Sequence, residues 1–138
     1  MPHVVSSKKI LAVAQAADPK QGILDAVGPI NDKMQVLGDW VIAGTYIQPE
    51  RRKSGLILAP DTLKEDEYQG VVGLVLQMGP NAEKLAEELG PGAPNIGDWV
   101  HYSIQDSRAM TVNGAACRRI KYGAIIAVLS GPEVLSNA

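Results

Sequence analysis

Gly38-Asp39-Trp40-Val41-Ile42-Ala43-Gly44-Thr45-Tyr46-Ile47 is the stretch that decides how this chain folds. It opens on a turn dipeptide, runs through β-branched and aromatic residues, and closes at Gln48-Pro49. Such residues suit a pleated, half-buried surface, so the segment reads as a strand. Its opening tetrapeptide recurs as Gly97-Asp98-Trp99-Val100, which leads into His101 and Tyr102 as a second strand. In each copy Gly-Asp supplies the turn, with Asp able to bond its own backbone two residues on, and Trp-Val supplies the first buried rungs. A catalytic pair of carboxylates is the sharper reading of Asp39 and Asp98, but no neighbouring residue supports it.

Outward from this stretch the strand signals continue. Gly70 to Met78 is a long apolar run closed by Gly79-Pro80, and Gly70 and Gly73 imply a bend or a close backbone approach. Asn113-Gly114 is the strongest hairpin signal, followed by Ala115 to Ile120 and by Ile125 to Leu129 before Gly131-Pro132. One helical island interrupts them over Asn81 to Leu89. There Asn81 is read as the cap, Glu83 favours the first turn, Leu85 and Leu89 share a face, and Gly90-Pro91 ends the helix.

The first part of the chain differs. Ser7 can cap a helix with Ile10, Leu11, Val13, Ala14 and Ala17 on its apolar face. Asp18-Pro19-Lys20-Gln21 reads as an N-cap, Pro at the first helical position and Gln three residues after the cap. The second helix carries Ile23, Leu24 and Val27 and stops at Gly28-Pro29. Two small helices make no core alone and must pack on the main domain or on another subunit. The expected architecture is all-β: a small barrel over 34–138, with a helical N-terminal extension over 1–33 and one short inserted helix.

Composition narrows the function. The 138 residues are 46% hydrophobic and 20% charged, ordinary for a folded domain. With two Trp, four Tyr and no Phe, the core must come from Val, Ile, Leu and Ala. A net charge of −2 gives no electrostatic reason to seek nucleic acid. Arg51-Arg52-Lys53 and Arg118-Arg119-Ile120-Lys121 are the basic clusters, both read as solvated edges. No apolar run approaches the ~20 residues that cross a bilayer, and no signal peptide is read. The single Cys117 excludes an internal disulfide and fits a reducing compartment. It has no nearby His, while His3 and His101 have no metal-ligand spacing with it, so Cys117 reads as a strand residue and catalysis is not expected. Gly70-Val71-Val72-Gly73 lacks the spacing of a phosphate loop. No cofactor or metal is expected.

The remaining feature is Arg51-Arg52-Lys53-Ser54-Gly55-Leu56-Ile57-Leu58-Ala59-Pro60-Asp61-Thr62, followed by Lys64-Glu65-Asp66-Glu67. Gly55 and Pro60 prevent a long helix or strand across it. Three aliphatic side chains in a polar connection are either a brief buried strand or a hook for a partner.

Taken in order, Val36–Ile42, Ser54–Leu58, Tyr68–Val75, Asn95–Val100, Thr111–Gly114 and Ala124–Val128 resemble the GroES-type co-chaperonin, over roughly residues 35 to 130. The helical additions make the chain similar to a bacteriophage-encoded member. The resemblance implies a seven-membered ring whose mobile loop docks Leu56, Ile57 and Leu58, preceded by Gly55, into a GroEL-type chaperonin ring. It also implies that Trp40–Ile47 and Ile125–Leu129 pair between subunits, and that the protein works in the cytoplasm of a host bacterium on clients such as a phage capsid protein. Burying three aliphatic side chains gains about 1.5–3 kcal/mol each, against about 1–2 kcal/mol per ordered residue. One hook is therefore weak, and several on one ring give useful avidity. Gln105-Asp106-Ser107-Arg108 lacks the aromatic that this family often carries at its roof, and Arg51-Arg52-Lys53 is more basic than the pattern. Those departures, with the additional helices, leave a competing reading: a virion structural protein, a capsid cement or decoration subunit that contacts capsid protein.

Overall fold

The computed structural model describes residues 18–47 and 71–135. Its first helix, α1 (Pro19–Val27), begins as the sequence dictates. The Asp18 side chain accepts from the Gln21 N–H at 3.2 Å, and Pro19 sits where a missing N–H costs nothing. The helix ends at Gly28, whose N–H bonds to the Leu24 carbonyl at 2.9 Å. Ile23 and Val27 are fully buried against the sheet, so this helix is part of the main core.

Among the described residues six strands form one antiparallel sheet: β1 (Trp40–Thr45), β2 (Val71–Met78), β3 (Trp99–Tyr102), β4 (Ser107–Val112), β5 (Ala115–Lys121) and β6 (Ile125–Leu129). Their order across the sheet is β4-β5-β1-β2-β3-β6. The β-rich class is as expected, but among the described residues the hydrogen-bonded sheet is open, with β4 and β6 at its two ends, and does not close into a barrel. The order also corrects the role of Trp40–Ile47. β1 is central, paired on one side with β2 and on the other with β5, so it has no free edge to offer another subunit. Val41, Ile42 and Ala43 are all buried in succession, as a strand covered on both faces requires.

Alternation along the strands sends side chains to two cores. Ile42, Val72, Leu74, Trp99 and Cys117 meet Ile23 and Val27 of α1 on one face. Val41, Ala43, Val75, Val100 and Ile120 meet the second helix, α2 (Pro80–Leu89), on the other. A bulge offsets the alternation once: Ile42 faces Gln77 while Ala43 faces Val75, leaving Leu76 unmatched. Buried Gln77 then accepts from the Val36 N–H at 3.0 Å and donates to Asn31 Oδ1 and the Met34 carbonyl at 3.0 and 3.1 Å. It thereby fixes the segment between α1 and β1.

The inserted helix departs from the sequence reading at its cap. Its N-cap is Gly79 rather than Asn81, with Pro80 opening the helix. Its buried residues are Ala82 and Ala86, whereas Leu85 is 38% and Leu89 67% exposed. The cause is close approach. The N–H groups of Asn81 and Ala82 both bond to the Gly38 carbonyl, at 2.9 and 3.3 Å, and a Cβ at Gly79 would strike the carbonyls of Leu37 and Gly38. At that separation only alanines fit beneath the helix, and the leucines turn outward.

The two Gly-Asp-Trp-Val copies open β1 and β3, the strands on either side of β2, and both glycines take positive φ. Their carboxylates act differently. Asp39 pairs with Lys121 at 2.9 Å, while Asp98 accepts from the N–H of Asn95, three residues before it rather than two after. The basic run on β5 also divides. Exposed Lys121 lies over the Trp40 ring at 4.5 Å, and Arg119 at 5.9 Å. Arg118, read from sequence as a solvated edge, is buried and donates to the Ser107 hydroxyl at 2.8 Å.

Candidate functional site at the foot of the 48–70 connection

Gly55, Leu56, Ile57 and Leu58, with Arg51, Arg52 and Lys53 before them, lie outside the described residues. What is described is the foot from which their connection leaves β1 and to which it returns at β2. These two strands are antiparallel neighbours, with Thr45 opposite Gly73, and the pairing extends one step further through Tyr46 N–H to the Val72 carbonyl at 3.0 Å. Both ends of the connection therefore start side by side at one end of the sheet.

The foot is held by packing. Tyr46, Ile47 and Val71 are all buried, because the residues just after β1 and the first of β2 sit over the sheet's two cores. The Tyr46 ring meets Trp99 edge to face, with centroids 5.7 Å apart and planes at 77°, an arrangement worth about 0.5–1.5 kcal/mol beyond area burial. The Tyr46 hydroxyl lies 3.5 Å from a Glu133 oxygen, which brings the residues after β6 to the same place. His101, opposite Val72 on β3, is half-buried with Nδ1 3.1 Å from the Val71 carbonyl. A carbonyl only accepts, so Nδ1 carries the proton there.

Tyr46, His101 and Glu133 were not singled out from sequence as site residues. The available signal was the repeated Gly-Asp-Trp-Val, which puts Trp99 beside β2, but nothing local marks Glu133, which comes from far along the chain. In the fold the His101 ring is tied to the foot through the Val71 carbonyl.

The other candidates are dispersed. Cys117 on β5 and His101 on β3 have β1 and β2 between them, three strand spacings or roughly 14 Å. Burial pushes the Cys117 thiol up to about 12, so it stays neutral at ordinary pH. The hydrogen bond from Lys121 holds Asp39 below the usual carboxylate range. His3 lies outside the described residues. Among the described residues no group of three His, Cys, Asp or Glu is placed to hold a metal ion, and no helix is long and apolar enough to cross a membrane.

No protein-family model and no curated protein matches this sequence. The arrangement is one that can present a connecting segment from a fixed base.

Proposed function

We propose that the protein is a non-enzymatic, ring-forming co-chaperonin of the GroES type, encoded by a bacteriophage and acting in the host cytoplasm. Leu56, Ile57 and Leu58, entered through Gly55, seat in an apolar groove of a GroEL-type chaperonin ring. The ring of co-chaperonin subunits, seven by the family pattern, then caps the chamber in which a client such as a capsid protein folds.

The observation that carries this reading is the placement of the triplet's connection. It joins two paired strands at Tyr46, just after β1, and Val71, the first residue of β2, and both are buried and hydrogen-bonded. A hook that binds weakly alone gains from a fixed base, because the ring then sets the spacing of its copies. Among the described residues β6 is an edge strand, which also fits lateral assembly, and Ile126 is 61% and Val128 40% exposed along it. An uncovered apolar edge strand is a liability that pairing with a neighbour removes.

Native mass spectrometry of the purified protein, with and without a bacterial chaperonin and nucleotide, tests the proposal. Seven copies and nucleotide-dependent binding support it; a trimer that ignores the chaperonin refutes it. The competing cement reading predicts many copies in purified virus particles, where a folding lid is absent.

A further inference from the structure

The basic run on β5 is a feature that the proposed hook leaves unused. In the strand register Arg119 stands directly opposite Arg108 of β4, and Lys121 directly opposite Trp40 of β1. Opposed residues, and residues two apart on one strand, project to the same face. Arg108, Arg119, Lys121 and Trp40 therefore share one surface. It is the face of Ile42, the residue opposite Arg119 on β1, and it lies at the end of the sheet where β1 begins. Arg108, Arg119 and Lys121 are exposed, and Trp40 is half-buried.

Two of these cations are held in place. Lys121 Nζ pairs with Asp39 at 2.9 Å and lies 4.5 Å from the centroid of the Trp40 ring; the Arg119 guanidinium carbon lies 5.9 Å from the same centroid. The arrangement of the two arginines is unfavourable by itself. Opposed cross-strand residues have Cβ atoms about 4.5–5.5 Å apart, and like charges there repel. Neither arginine has a carboxylate partner among the described residues, and Asp106, exposed two residues before Arg108, pairs with neither. Asp39 matches Lys121, so Arg108 and Arg119 leave two positive charges side by side. Arg118 is not part of this surface: alternation sends it to the other face, where it donates to Ser107.

We propose that Arg108 and Arg119, with Lys121 beside them, form a binding site for a dianionic phosphoryl group. A guanidinium offers parallel N–H donors to two oxygens of one anion. A phosphate monoester carries a charge of about −1.5 to −2 at neutral pH on three acceptor oxygens, enough to neutralise both arginines at once. A single carboxylate brings one charge and leaves an arginine unmatched. Trp40 fixes Arg119 and Lys121 before the ligand arrives, which lowers the ordering cost of binding. β1 begins at this site and ends at the foot of the 48–70 connection, so the two surfaces lie at opposite ends of one strand. The site goes beyond the co-chaperonin reading and holds whatever the triplet binds.

The test uses the full chain. Isothermal titration calorimetry with inorganic phosphate, in chloride buffer at constant ionic strength, compares the native protein with R108Q, R119Q and the pair R108Q/R119Q. Both side chains are exposed, so the variants retain the fold, and a melt of each verifies it. Saturable binding at one phosphate per chain is expected for the native protein, weakened about tenfold or more by either single change and lost in the pair. Phosphoserine titrated in parallel distinguishes the source: tighter binding than phosphate assigns the group to a modified side chain of a partner, and weaker or equal binding to the free ion, the site standing in both cases. Succinate, with its two charges on separate carboxylates, is expected to bind about tenfold more weakly than phosphate. A second measurement needs no variant: the native protein melts higher in phosphate than in chloride at equal ionic strength. Absence of phosphate binding, binding undiminished in R108Q/R119Q, succinate binding as tight as phosphate, or melting that is the same in both buffers overturns the proposal.

Discussion

Asn113, the first residue of the turn between β4 and β5, donates from its side-chain amide to the Val27 carbonyl at the end of α1, 2.6 Å away. The same residue adopts φ 52° and is followed by Gly114 at φ 83°, the left-handed pair that a two-residue hairpin requires. One asparagine therefore makes the turn and ties α1 to the sheet. Substitution separates the two roles. Asn113→Gly keeps the turn and loses the tether, at a cost of about 1 kcal/mol. Asn113→Ala loses the tether and adds the strain of a left-handed alanine, about 1–2 kcal/mol more. Urea denaturation of the two variants checks this. Equal stability of Ala and Gly at this position contradicts the assignment.

Gly73 is where β2 passes closest to its neighbours. An added Cβ would lie 2.8 Å from the Tyr102 hydroxyl, 2.9 Å from the Ala43 Cβ and 3.0 Å from the Gly44 carbonyl. Gly73→Ala is expected to destabilise by about 1–3 kcal/mol through overpacking. Gly123→Ala, with nothing within 4 Å of the new methyl, is expected to change stability by less than about 0.5 kcal/mol. Thermal melts of the two variants side by side make the comparison.

The Tyr102 hydroxyl that crowds Gly73 is fully buried and has no hydrogen-bond partner among the described residues. Leaving a buried hydroxyl unpaired costs about 1–3 kcal/mol. Tyr102→Phe removes that cost with little change of shape and is expected to be neutral or stabilising. A loss of more than about 1 kcal/mol in chemical denaturation would mean that the hydroxyl is satisfied in solution.

Stability should fall in alkali, starting with Cys117. Burial raises its thiol to about 12, whereas an unfolded cysteine ionises near 8.5. The folded state therefore holds the neutral thiol more tightly, so this contribution is complete below about pH 8.5 and is lost as the pH rises towards 12. Tyr102 and Tyr122, both raised by burial, add to the slope above about pH 10. Denaturation midpoints between pH 8 and 10 are expected to drop for the native protein and to stay flatter for Cys117→Ala. Parallel curves for the two proteins contradict the assignment.

Local chemistry made some of this legible from sequence. Asp18-Pro19 announced a helix start that its cap bond realises, and Asn113-Gly114 announced the hairpin. The close approach anticipated at Gly73 is present. What escaped is what depends on neighbours distant in sequence. A strand's own residues do not say whether one side or both are paired, so β1 was placed at an edge when β2 and β5 enclose it. The shared face of Leu85 and Leu89 does not say which side of α2 is buried; the backbone contact at Gly38, beneath which Ala82 and Ala86 sit, is a tertiary fact. Arg118 escaped for the same reason, since Ser107 reaches it only through the β4–β5 pairing. At the site, the triplet was visible as a greasy run between breakers, while its foot of Tyr46, Trp99, His101 and Glu133 is assembled from three separate parts of the chain.

The central claim rests on Ile57, and the most direct measurement is capture by a chaperonin ring of the Ile57→Asp variant beside the native protein, with circular dichroism and melting of both. The account predicts that the native protein binds the ring in the presence of nucleotide and that Ile57→Asp loses binding by at least about 100-fold while melting within a few degrees of it. An Ile57→Asp chain that unfolds would place the triplet in its own core, and one that folds and still binds would make the triplet irrelevant; either result contradicts the account.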